Sequence, residues 1–62
     1  MIWISANENK PDHHQDVLLF DLGTHLFHIG WWDALLDRFI VENDGPNSDI
    51  SHWAEIEKPE GA

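Results

Sequence analysis

No cysteine occurs in this chain of 62 residues, so its core must hold without a disulfide or a thiolate-bound metal. A domain this small buries only about 60% of the surface its unfolded chain exposes, which leaves little margin. Residues 1–62 read as one small domain. Leu, Ile, Val and Phe supply 17 of the 62 residues, about 27%, above the roughly 20% under which highly charged chains stay unfolded. Each of the four Trp residues adds about 150–250 Å² of buriable surface. The expectation is a folded domain with a thin core packed around tryptophan, supplemented by a second copy in a homodimer.

Charge narrows the partners. Twelve Asp and Glu stand against three Lys and Arg, a formal net charge of −9. Docking such a chain onto phosphate is unfavourable, so no direct nucleic-acid contact is expected. A protein with a basic surface is the complementary partner. Apolar runs such as Val17-Leu18-Leu19-Phe20 fall far short of the roughly 20 residues a spanning helix needs. The N-terminus has no basic stretch followed by an apolar one. No membrane contact and a cytoplasmic location are the expectations.

Along the chain, Met1-Ile2-Trp3-Ile4 suits a strand. Residues 5–15 are polar, contain Asn7, Asn9 and Pro11, and read as a loop. Val17–Phe20, bounded by Asp16 and Asp21 without alternation, reads as a strand buried on both faces. Gly23 sits where a hairpin would turn. As a strand, residues 25–32 place His25, Phe27, Ile29 and Trp31 on one face and Leu26, His28, Gly30 and Trp32 on the other. Gly30 then marks a bulge or a close backbone approach, for instance by a Trp ring.

Residues 32–42 admit two readings. Trp32, Leu35, Leu36, Phe39 and Ile40 form a helical stripe. Alternatively the chain turns through Asp33–Asp37 and continues as a strand from Arg38 to Val41, which the β-branched Ile40-Val41 pair favours. Asp44-Gly45-Pro46-Asn47-Ser48 is a turn. Residues 50–56 read as a final strand, with Ile50, Ala54 and Ile56 on one face and Trp53 on the other. Residues 58–62 form a tail expected to fray. The fold class expected is an all-β or β-dominated domain of four to five short antiparallel strands, the alternative being α+β with one helix over 32–42.

Trp3-Ile4-Ser5 near the start, Pro11 and the Asp16–Phe20 run, then Ile50-Ser51-His52-Trp53 and Pro59 near the end form a pattern. It resembles the DUF551 family of small phage and prophage proteins, whose function is unknown. His52-Trp53 together with Trp3 is its most specific part. Ser51, Ala54 and Glu55 depart from the Thr, Met and Pro of that family, and its Pro-rich tail is mostly missing. The resemblance implies a phage-related origin and a small β-rich fold, and it favours turn plus strand over helix for residues 33–42. It carries over no catalytic residue.

The candidate chemistry is sparse. His13 and His14 lie between Asp12 and Asp16, a grouping that holds a divalent ion loosely at best, because the spacing matches no tight site. No metal or other cofactor is expected. Ser51 and His52 are neighbours and would face opposite ways on a regular strand, and 62 residues leave little room for a pocket. No enzymatic activity is expected. Trp3, Leu18, Phe20, Phe27 and Trp53 are the expected core, with Trp3 and Trp53 packed together. Trp31 and Trp32 face opposite ways, so one is free to contact a partner. Asp33 and Asp37 lie beside them on the acidic surface. The functional expectation is a non-enzymatic phage-type accessory protein that binds a host or phage protein, as an acidic inhibitor of a nucleic-acid-handling or defence system. The alternatives are a self-assembling factor and a small His/Asp metal-binding domain.

Overall fold

A computed structural model describes residues 1–57 and 59–61. Of the tail expected to fray, Lys58 and Ala62 lie outside the described residues. The described residues hold no helix. They form six strands, one more than the upper expectation: β1 (Ile4–Ser5), β2 (Val17–Asp21), β3 (Leu26–Asp33), β4 (Arg38–Val41), β5 (Gly45–Asn47) and β6 (Ile50–Glu55). All pair antiparallel in a single open sheet of order β1-β6-β2-β3-β4-β5. The extra strand is β5, formed within the Asp44–Ser48 turn, where Pro46 opposite Ile40 is tolerated because this is an edge.

The helical reading of residues 32–42 fails for a local reason. Asp33 Oδ1 accepts the amides of Leu35 and Leu36, closing an Asx turn that reverses the chain at residues 34–37. Leu35 and Leu36, the centre of the supposed stripe, are exposed at the turn tip. The β4–β5 loop holds Asn43 (φ 68°) at its centre, and the β2–β3 and β3–β4 loops each end in a left-handed residue, His25 (φ 60°) and Asp37 (φ 55°). That is the geometry of short hairpin loops built on a type I turn. Gly23 lies within the β2–β3 loop as expected, but His25 carries its positive φ. Asp37→Gly removes a side chain from this region, and we expect a stability gain of up to about 1 kcal/mol in urea denaturation.

The sheet is strongly coiled. β5 and β6 stand four strand spacings apart in the sheet order, about 19 Å if flat. Only Ser48 and Asp49 join them, and three Cα steps reach at most about 11 Å. The sheet must curl to close that gap. Asn47 Nδ2 on β5 donates to Asp21 Oδ2 on β2 at 3.0 Å, bridging two intervening strands.

Curling gives the two faces different fates. The register places Val17, Leu19, Phe39, Val41 and Trp53 on the concave face, where Val17 and Leu19 have no exposure. Ile50 joins them because the pairing of β2 with β6 shifts at Phe20/Asp21, leaving Ser51 as an extra residue. The alternation expected for residues 50–56 is thereby corrected: Ile50 shares a face with Trp53 and not with Ala54, and Ile56 lies beyond the strand. β2 is also not buried on both sides. Val17 and Leu19 are buried, whereas Leu18 and Phe20 on the convex side are half-buried.

The loop at 5–15 closes the concave side. Ala6 and Pro11 are buried. Trp53 Nε1 donates to the Asn9 carbonyl at 3.0 Å, and Lys10 Nζ lies 5.1 Å from the centre of the Trp32 ring while bonding the Ala6 carbonyl. The His14 amide donates to the Trp32 carbonyl. A polar segment thus serves as the cover of the core, anchored by its few apolar residues.

Asp21 is the one buried charged residue described, 4% exposed. Its carboxylate accepts from Asn47, the amides of Gly23 and Thr24, and His28. The Asn47 bond, supported by Thr24 and His28, outweighs burial and lowers its pKa from 3.8 to about 2. A folded-state pKa below the unfolded value gives stability that is present above about pH 4 and is lost as the pH falls towards 2. Asp21→Asn should therefore melt with a shallower pH dependence than the wild type between pH 4 and 2.

Candidate functional site

The convex face carries the side chains that the core does not use. Leu18 and Phe20 from β2, Phe27, Ile29 and Trp31 from β3, and Ile40 from β4 share it by register. Trp3, just before β1, joins them: its ring centre lies 5.7 Å from that of Phe27 and 6.5 Å from that of Phe20. Phe20 and Phe27 are 5.3 Å apart, so three rings form one contiguous cluster. His25 stacks beside Phe20 at 6.1 Å. The cluster is open to solvent, with Trp3 37%, Phe27 64% and Ile29 44% exposed. Trp3, Phe20, Phe27 and His52 line a shallow cleft of about 340 Å³.

The expected core of Trp3, Leu18, Phe20, Phe27 and Trp53 is thus divided by the sheet. Only Trp53 is buried in the core. Ile4 is the residue opposite Trp53, so Trp3, one position earlier, falls on the other face. The expected Trp3–Trp53 packing does not form, because successive residues of a strand alternate faces. The unalternated apolar run of β2 told of two apolar faces but not that one of them would remain open.

Trp31 and Trp32 do face opposite ways. Trp31 is half-buried on the convex face. Trp32 is half-buried and packs edge-on against Phe39 at 4.9 Å, at the border of the concave core. Asp33 and Asp37 part company too. Asp33 caps its turn, and its pKa is lowered by the amide of Leu36 first, then that of Leu35 and the nearby His13 and His14, against a smaller opposing effect of burial. Asp37 lines a separate cleft with Lys10 and Arg38 at the mouth of the concave face.

The histidines group differently from the sequence expectation. His13 and His14 stack at 3.7 Å and meet Asp33, with one ligand atom from each within 4.8 Å of the others, whereas Asp12 and Asp16 are not part of the group. His14 Nε2 lies 3.8 Å from Asp33 Oδ2. His13 Nδ1 accepts the Ala34 amide at 3.0 Å. A neutral imidazole has one lone pair, so His13 has already spent the electrons a metal would need. Two free donors remain, fewer than a stable site requires.

Ser51 and His52 do touch. The bulge at Ser51 lets Oγ approach His52 Nδ1 to 2.9 Å, where a regular strand would separate them. The contact is exposed, and among the described residues no carboxylate pairs with His52.

The edges offer little. β1 has two residues and β5 three, one of them proline, both devices that discourage edge-to-edge pairing. Among the described residues the ion pairs are His14–Asp33 and His28–Asp21, so the acidic surplus is not neutralised by Lys or Arg. No helix among the described residues is long and apolar enough to cross a membrane. Compared with family models, curated proteins and solved structures, the chain matches none.

Proposed function

We propose that this protein is a non-enzymatic binding module and that the convex aromatic face is its working surface. The observation that carries this reading is Phe27, 64% exposed near the start of β3, an interior strand of the sheet, and in contact with Trp3 and Phe20. A contiguous exposed apolar patch marks an interaction site more often than not, and aromatic residues dominate the energetics of such contacts. The net charge of −9 selects a partner whose matching patch is ringed by basic residues and speeds its approach at low salt. A phage-type accessory protein that inhibits a nucleic-acid-handling or defence protein by covering its basic surface fits both features. The second reading is a second copy on the same face, favoured by the two blunted edges.

Immobilised wild type, Phe27→Ser and the double variant Asp33→Asn/Asp37→Asn test this, through proteins retained from a bacterial lysate as salt rises. Asn keeps the turn oxygen at residue 33. Phe27→Ser gives up its ring contacts with Trp3 and Phe20 and should cost about 1–2 kcal/mol while staying folded, yet lose the specific partner. The double variant should bind it more weakly, most visibly below about 0.1 M salt. Retention of the same proteins by Phe27→Ser contradicts the proposal. A mass of two chains in light scattering, reduced to one by Phe27→Ser, would favour the second copy.

A further inference from the structure

We propose that the Trp3–Phe20–Phe27 cluster, bordered by His52, seats an arginine side chain of the partner. The inference rests on the reading of the convex face as a binding surface and names the group it recognises. Three aromatic rings, one of them Trp, line a cleft of about 340 Å³, and cations within about 6 Å of a ring centre are held over its face, most strongly on Trp. The rings lean on one another at 5.3–6.5 Å. They leave no gap between opposed rings to encircle a compact ammonium group. What they offer is exposed ring surface, on which a planar guanidinium stacks flat while a Lys ammonium makes only a point contact. Its weaker hydration lowers the cost of leaving water.

The charge of the chain supplies the second argument. With −9 overall and no described carboxylate paired to Lys or Arg, the field around the molecule draws cations to it, and an apolar partner group gains nothing from that field. His52 adds a polar atom at the rim. In the tautomer whose Nδ1–H donates to Ser51 Oγ, 2.9 Å away, Nε2 is left as an acceptor for a guanidinium N–H. The cleft thus combines a stacking surface, a hydrogen-bond acceptor and an attractive potential.

The test is an NMR titration of the full chain, at fixed ionic strength, with a short Gly-Arg peptide and with its Gly-Lys and Gly-citrulline counterparts. The Arg peptide should shift the Trp3 indole N–H and the Phe20 and Phe27 ring signals, binding about two- to fivefold more tightly than the Lys peptide. The uncharged citrulline peptide should leave these signals in place. Phe27→Leu and Trp3→Leu, both at exposed positions, should each erase the preference for Arg over Lys while the spectrum stays folded. Equal Arg and Lys shifts spread over the carboxylates would overturn the proposal, reducing it to diffuse charge attraction. If Phe27→Ser still loses its partner in that event, the binding face stands and only the arginine seat falls. If Phe27→Ser keeps its partner, the face itself is wrong.

Discussion

Gly30→Ala should be among the most damaging single-methyl changes available to this protein. Gly30 sits mid-strand on β3, paired with Val17 of β2 on one side and Val41 of β4 on the other. A Cβ at this position would overlap the Ile40 carbonyl oxygen and approach Leu19 Cδ1 to 2.7 Å. The carbonyl belongs to the paired strand and cannot swing away without loss of the ladder. Leu19 is fully buried. Overpacking a core ordinarily costs about 1–3 kcal/mol, and a clash with backbone belongs at or above the top of that range. A chain of this length has a total stability of about 3–9 kcal/mol. Urea denaturation should show the Ala variant destabilised by about 3 kcal/mol or more, or unfolded in buffer. A loss under about 1 kcal/mol would mean that β3 does not run this close to β4.

Trp53→Ala is the second. Trp53 is 6% exposed and stands opposite both Leu19 and Ile4, so it joins three strands. Its Nε1 also ties the loop at 5–15 to the core through the Asn9 carbonyl. Truncation should cost about 3–5 kcal/mol, most of what the domain has. Trp53→Phe separates the two contributions, because it keeps most of the packing and leaves the Asn9 carbonyl without its donor. We expect it to unfold at lower denaturant than wild type but well above Trp53→Ala. Trp3→Ala offers the contrast: the same residue type, on the open face, should leave the fold standing.

The strands were largely legible from pattern. The alternation of residues 25–32 assigned both faces of β3 correctly, and Gly30 signalled a close approach, although it is the Ile40 carbonyl and Leu19 that come near and not a Trp ring. Residues 33–37 were ambiguous because Leu35 and Leu36 mimic a helical stripe. The Asp33 Asx turn, an interaction between a side chain and the next amides, decided against it. Which face of β2 would be covered could not be read at all. Both are apolar, and the cover is a polar loop whose only core signals are Ala6 and Pro11. The same blindness sent Trp3 and Phe27 into the expected core. The bulge at Ser51 also escaped, since nothing in Ile50-Ser51-His52-Trp53 distinguishes it from a regular strand. The pairing of His13 and His14 with Asp33, twenty and nineteen residues on, depended on that same loop folding over β3.

The central claim is that one apolar face of the sheet is core and the other is presented for binding. Paramagnetic relaxation of side-chain signals by a soluble, uncharged gadolinium chelate, at dilute protein, reads both faces in one experiment. The account predicts strong broadening of the Trp3 and Phe27 ring signals and sharp signals from the Trp53 indole and the Leu19 methyls. Trp3 and Phe27 signals as protected as that of Trp53 would contradict it.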